Sequence, residues 1–407
     1  MPPRLPSRLH AGLSLLALLL AACGSAVAVA DPMPEPTSPP ATAPSIINSP
    51  TPLPTAVPAT TTAVPATPLP PTVAASPTIA PTVSPTPPNP PPEITLLFTG
   101  DINPGRCVYA QAKAAEDMAL PYRALAPLLQ KADILIGSLD GTLSDYNPPA
   151  PCDEAYRNLM APSEAVEGLA FAGFDVMGVA TNHMKDCGLI RGCVNDSLFD
   201  TLDILAANGI LPAGAGADLE AATSPAIVTM HGVRFAFIGI GAINRQIWAA
   251  MASPGIAPFQ TDIFLDAIAR ARAQADVVIV LPHWGREYSP LITYEQRQAA
   301  HRMVAAGATL VVGNHPHRVQ GVETLPNGAV VAYALGNFVF DQEWSDGTQY
   351  TIQGILLQAR FHGADLVEVD LLPIHIYDDI QPRLADEVEA ARILADVAAS
   401  MESAPPP

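Results

Sequence analysis

Short apolar runs recur along the last three-quarters of the chain, and their spacing sets the first expectations. Residues 94–99, 134–139, 175–180, 234–239, 277–281, 309–313 and 330–335 are rich in Val, Ile and Leu, the texture of strands buried on both faces. Between them, residues 110–130, 163–172, 196–208, 261–275 and 294–306 carry apolar side chains at helical spacing. This alternation predicts a layered α/β fold with much parallel sheet. After Tyr350 strand follows strand, over 351–361 and 366–373, which predicts a second, more antiparallel sheet. A helix over about 384–401 closes the domain before a Pro-rich end.

The first 93 residues have a different texture. Arg4 and Arg8 precede an apolar run over 11–22 that is too short to span a bilayer. The run ends in Leu20-Ala21-Ala22-Cys23-Gly24, which resembles a bacterial lipobox. Residues 1–23 are therefore expected to be a lipoprotein signal peptide, with Cys23 acylated and the chain exported and held at the outer face of the cytoplasmic membrane. A plain secretory signal cut after Ala28-Val29-Ala30 is the alternative. Of the 45 prolines among 407 residues, 22 fall in residues 31–93, interleaved with Thr, Ala and Ser. Such a tract lacks the apolar mass for a core, so 24–93 are expected to form a disordered, polyproline-type stalk. The working domain is then 94–384, followed by the C-terminal helix and tail, 385–407.

Charge changes the picture in one respect. The net charge is −19, and residues 94–407 hold 18 basic against 36 acidic side chains. A nucleic-acid partner is disfavoured, because neutralising phosphates needs a basic face. Four cysteines remain after Cys23: Cys107, Cys152, Cys187 and Cys193. An even number in an exported chain suggests disulfides. Cys187 with Cys193 would staple a local loop and leave Cys107 with Cys152. A Cys-ligated metal is the weaker competitor, since the paired two-residue spacing of structural zinc sites is missing.

The candidate chemistry sits where the apolar runs end. These runs are followed by Asp101, Asp140, Asn182-His183, His283, the His315-Pro316-His317 triplet and Asn337. Ligands of open α/β sheets bind at the carboxyl ends of the strands. Two carboxylates, an amide and four histidines would thus meet on one face, a set that suits a two-metal centre. Taken singly, each has a plainer role: an Asp after a strand caps a helix, and a His on an apolar strand packs in the core. Their recurrence at successive strand ends favours the site.

These motifs resemble the CapA family of poly-γ-glutamate capsule biosynthesis proteins, which share the calcineurin-like metallophosphoesterase fold. The matching stretches are Gly100-Asp101 with Gly105-Arg106, Ser138-Leu139-Asp140-Gly141, Thr181-Asn182-His183, His283-Trp284-Gly285 with Glu287-Tyr288, Asn314-His315-Pro316-His317 with Gln320-Gly321, and Gly336-Asn337-Phe338 with Phe340-Asp341. The resemblance implies a four-layer α/β/β/α sandwich and two divalent ions, Mn, Fe or Zn. Asp101 and His317 would bind one ion, and Asn182, His283 and His315 the other, with Asp140 bridging. His183 would be the general acid, and Arg106 and Asn337 would hold an anionic polymer or a phosphate ester. The implied function is a metal-dependent hydrolase of capsule polymer synthesis or processing, working beside capsule-synthesis membrane proteins. The alternative is a non-catalytic scaffold of synthesis or export. The chain departs from the family pattern at Asn103, Asp140, Thr181 and Asn314.

Overall fold

The computed structural model describes residues 91–146, 152, 158–187, 194–342, 350–378 and 380–406. The expected signal peptide with Cys23, nearly all of the expected stalk, and Cys193 lie outside the described residues. Two sheets form the body of the domain. The first has eight strands, with neighbours in the order Gln381–Leu384, Asp365–Tyr377, Gln353–His362, Glu93–Ile102, Ile134–Leu139, Val176–Gly178 and Leu211–Ala213. Its eighth strand, Asn337–Val339, runs parallel to Glu93–Ile102 and sets Asn337 beside Asp101. The second sheet has six strands in the order Val322–Thr324, Val330–Ala332, Leu310–Val312, Val277–His283, Val233–Gly241 and Ala226–Met230.

Alternating side chains sort the layers. From the first sheet, Leu96, Phe98, Ile134, Ile136 and Leu357 face Phe237, Val277 and Ile279 of the second across a shared apolar core. Phe235 and Phe361 meet there edge-to-face at 5.3 Å. The opposite faces are covered by helices. Leu97, Leu135 and Met177 pack with Leu169 of helix Val166–Ala172 and with Leu198 and Leu205 of helix Val194–Ala207. On the far side, Ile238, Val278 and Val280 pack with Ile268 of helix Thr261–Arg272 and Met303 of helix Tyr294–Ala305. The result is the expected α/β/β/α order of layers.

Three expectations need correction. The strands after Tyr350 do not build a separate sheet. Gln353–His362 pairs antiparallel with Glu93–Ile102 along six residue pairs, so they extend the first sheet. The helix expected over 110–130 is broken. Helix Arg106–Ala114 ends, the chain turns at Glu116 with φ 54°, and Pro121 sits in a short 3-10 turn before helix Ala126–Leu129. The strand expected over 330–335 stops at Ala332, and Asn337 opens a new strand in the other sheet. The crossover between the two is tight. A Cβ on Gly100 would lie 2.1 Å from the Gly336 carbonyl oxygen, and Gly336 itself has φ +75°, a conformation that favours glycine.

The closing helix, Glu387–Glu402, starts at Asp386, whose carboxylate accepts from the Val388 and Glu389 N–H groups. Its Ile393 and Val397 enter the core between the sheets, so this helix belongs to the same folded unit. The expected Cys107–Cys152 disulfide is present. Cys187 is also disulfide-bonded.

Candidate functional site

Each site residue lies at or just beyond the carboxyl end of a strand, or beside one. Asp101 is the second-last residue of the first strand, and its neighbours fix its carboxylate. Ser138 Oγ donates to Asp101 Oδ1 at 2.9 Å, and the His315 N–H donates to Oδ2 at 3.0 Å. Asp140 follows its strand directly. His283 ends strand Val277–His283. His315 and His317 occupy the turn after Leu310–Val312 with φ 100° and 54°. Left-handed backbone at non-glycine residues costs about 1–2 kcal/mol each and clusters at functional sites.

The expected ligands fall into two groups around Asp140. Asp140 Oδ2 lies 3.8 Å from His317 Nε2, and Asp101 Oδ2 lies 3.7 Å from His317 Nδ1. On the other side, Asp140 Oδ1 lies 3.7 Å from His283 Nε2, which is itself 2.8 Å from Asn182 Oδ1 and 3.2 Å from His315 Nδ1. The structure thus brings together all six residues expected to bind metal.

Burial and mutual charge decide the protonation of this cluster. Burial and the neighbouring Asp140 push Asp101 well above the usual carboxylate range. Burial, reinforced by His315 and His317, pushes His283 well below the usual imidazole range, and burial with His317 takes His315 down to about 3. His317 is lowered as well, chiefly by burial. Neutral imidazole is the form that binds metal.

The residues fit divalent cations in donor type and in what they leave unmet. Among the described residues, both Asp140 oxygens and His283 Nδ1 are buried without a hydrogen bond, a costly state for a carboxylate unless a cation meets it. Among the described residues, no three His, Cys, Asp or Glu side chains already gather as ligands on one point. The fit is therefore one of chemistry and proximity.

His183 stands at the mouth. Its Nδ1 lies 2.6 Å from Asp186 Oδ2, and Asp186 also accepts from the Leu159 N–H at 2.7 Å. Burial disfavours the imidazolium, but Asp140, Asp186 and Glu287 outweigh it and hold the His183 pKa at about 9. A cleft of about 200 Å³ opens here, with Arg106, Asn182, His183, Glu287, Tyr288 and Phe340 in its wall.

The two residues expected to hold an anionic substrate are placed differently from one another. Arg106 lines the cleft, but its guanidinium is paired with Asp341, Nε donating at 3.1 and 3.2 Å. Asp341 also accepts from Asn103 Nδ2 and the Cys107 N–H. Asn337 is fully buried; its Oδ1 lies 2.8 Å from His317 Nδ1 and its Nδ2 donates to the Thr351 carbonyl. That contact makes Asn337 a positioning residue for the His317 ring.

Asp186, Ser138 and Asp341 were not singled out from the sequence. The spacing of His183 and Asp186 was the one local signal for the first. Ser138 and Asp341 stand within the family-like motifs but acquire their partners, Asp101 and Arg106, only through folding.

The sequence model of a family described as bacterial capsule synthesis protein PGA_cap matches residues 95–342. The PGA biosynthesis protein CapA of Bacillus subtilis is 31% identical over 282 residues, 68% of this chain and 71% of that protein. The capsule biosynthesis protein CapA of Bacillus anthracis is 29% identical over 308 residues, 74% and 72% of the two chains. Among solved structures, the calcineurin-like phosphoesterase YfkN from Bacillus subtilis superposes with a TM-score of 0.41 at 13% identity, covering 77% of this chain and 98% of that one.

Proposed function

The chain belongs to the bacterial capsule synthesis protein family PGA_cap, and from that premise we propose that it is a metal-dependent hydrolase of poly-γ-glutamate synthesis or processing. The observation that carries this reading is Asp140, whose two buried, unpartnered oxygens face His283 and His317. Asp101 and His317 would hold one divalent ion, and Asn182, His283 and His315 a second, with Asp140 between them. Such ions supply Lewis-acid polarisation of a carbonyl or phosphoryl group and an acidified water. His183, kept protonated by its acidic neighbours and oriented by Asp186, would donate the proton to the leaving atom. Asn337 would hold the His317 ring, and Arg106 would brace the cleft wall through Asp341.

Acylation at Cys23 and a stalk over 24–93 would carry this domain on the outer face of the cytoplasmic membrane. The test is metal analysis joined to a hydrolysis screen on ester and amide substrates, with wild type and Asp101→Ala. Near two ions per chain, and turnover lost in the variant, is the expected result. Less than one ion per folded chain would end the two-metal reading.

A second reading, a non-catalytic scaffold acting through a partner, is favoured by the acidic balance of residues 94–407, 18 basic against 36 acidic side chains, which makes direct binding of a polyanion awkward. Polymer binding that survives chelation, without turnover, would support it.

A further inference from the structure

Three successive carbonyls of one loop are held by side chains from two other elements. The loop is residues 284–293, between strand Val277–His283 and helix Tyr294–Ala305, and it carries Glu287 and Tyr288 into the cleft wall. Gln320 Nε2 donates to the carbonyls of Ser289 and Leu291, each at 3.0 Å. Between them, the Ser400 hydroxyl donates to the Pro290 carbonyl at 2.6 Å. Gln320 Oε1 in turn accepts from Gln296 Nε2 at 2.9 Å. Gln320 and Ser400 are both buried.

Ser400 also reaches the second loop of the site. Residues 313–321 carry His315 and His317, and the Gly321 N–H at the end of this loop donates to Ser400 Oγ at 3.0 Å. Gly321 leaves the helix room to approach, since a Cβ there would lie 2.3 Å from Met401 Cγ. The two loops also meet directly. The Tyr288 N–H donates to the Pro316 carbonyl at 2.8 Å, and the Tyr288 ring stacks on His317 at 5.7 Å. One hydroxyl of the closing helix Glu387–Glu402 therefore bridges the loop that stacks on His317 to the loop that contains it. This helix lies outside residues 95–342, the stretch matched by the family model.

A buried polar network whose members are satisfied rigidifies the segments it joins. We propose that Ser400 is a positioning residue for the metal centre: it locks the Tyr288 loop to the His315–His317 loop, so that ion binding depends on the closing helix. The proposal rests on the two-metal reading given above. Ser400→Ala would leave the Gly321 N–H and the Pro290 carbonyl without their shared partner.

Calorimetric titration of the full chain with Mn²⁺, well below its unfolding temperature, tests this together with amide exchange at Tyr288. Mn²⁺ should bind Ser400→Ala about 2–30-fold more weakly than wild type, and the Tyr288 N–H, which spans the two loops, should exchange faster. Val397→Ala is the control. Val397 lies on the same helix but packs between the sheets, so this variant should melt lower while keeping wild-type Mn²⁺ affinity and Tyr288 exchange. Wild-type affinity in Ser400→Ala, unchanged Tyr288 exchange there, or equal effects in Val397→Ala, overturns the proposal and leaves the metal centre standing. A wild type that binds no Mn²⁺ overturns the metal reading, and the coupling with it.

Discussion

Asp140 offers one carboxylate oxygen to His283 at 3.7 Å and the other to His317 at 3.8 Å. A buried charge facing two rings without a hydrogen bond is a liability until a cation arrives. Asp140→Asn should therefore melt within about 1–2 kcal/mol of wild type in chelator, because among the described residues the carboxylate has no hydrogen bond to lose. Wild type should gain about 2.7 kcal/mol at a metal concentration 100 times Kd, and the variant should lose most of that gain. Scanning calorimetry with and without Mn²⁺ reads both effects, and an undiminished metal response in the variant would take Asp140 out of the ligand set.

Asp186 acts through His183. Turnover is expected to drop about 10²–10⁴-fold in His183→Ala, and about 10–100-fold in Asp186→Asn, with KM changed little. Burial lowers the His183 pKa while Asp140 and Asp186 raise it. Removing the Asp186 charge should thus move the alkaline limb of the rate profile to lower pH. An unmoved limb would leave Asp186 with a merely structural role.

Outside the candidate site, Glu323 accepts from Arg297 at 2.8 Å and from the Tyr333 hydroxyl at 2.9 Å, with His301 3.3 Å away. Burial pushes this carboxyl up, but the three partners together hold it below its ordinary value. A lowered folded-state pKa stabilises above the unfolded value, and that contribution is lost as pH falls through the folded one. Glu323→Gln should cost about 1–2 kcal/mol at pH 7, and the difference should close below roughly pH 4. Urea melts across pH 3–7 would show it.

The Cys107–Cys152 bridge joins residues 45 apart in sequence. Closing a loop of that length stabilises by about 2–4 kcal/mol through the unfolded chain. The Cys107→Ser, Cys152→Ser double variant should lower the denaturation midpoint accordingly, and wild type with reductant, which also loses the bridge at Cys187, should fall to it or below. Cys107 also donates its N–H to Asp341, so the loss should be accompanied by a looser cleft wall, read as faster amide exchange near Arg106.

Much of the site could be read because strand and ligand coincide in sequence. Buried strands such as Ile134–Leu139 and Val277–His283 are unbroken apolar runs, and the first polar residue after them had to be near a sheet end. Partnerships that depend on topology could not be read. Arg106 and Asp341 are 235 residues apart, and nothing local marks either as the mate of the other. Asn337 looked like a residue after one strand, whereas it begins another beside Asp101. The pairing of Gln353–His362 with Glu93–Ile102 is likewise a long-range choice, invisible to periodicity. The break after Ala114 was concealed because apolar spacing continues through Pro121.

Glu93 and Asp101 stand near opposite ends of one ten-residue strand, roughly 25–30 Å apart at about 3.3 Å per residue. That strand is laddered on one side to Ile134–Leu139 and on the other to Gln353–His362. Tension on the chain ahead of Pro91 would run along the strand axis and load both ladders in shear, so that many hydrogen bonds must yield together. It would also act at the end of the strand opposite Asp101. A pull at Pro91 would thus be resisted by the whole length of the first strand, not by peeling its bonds one at a time.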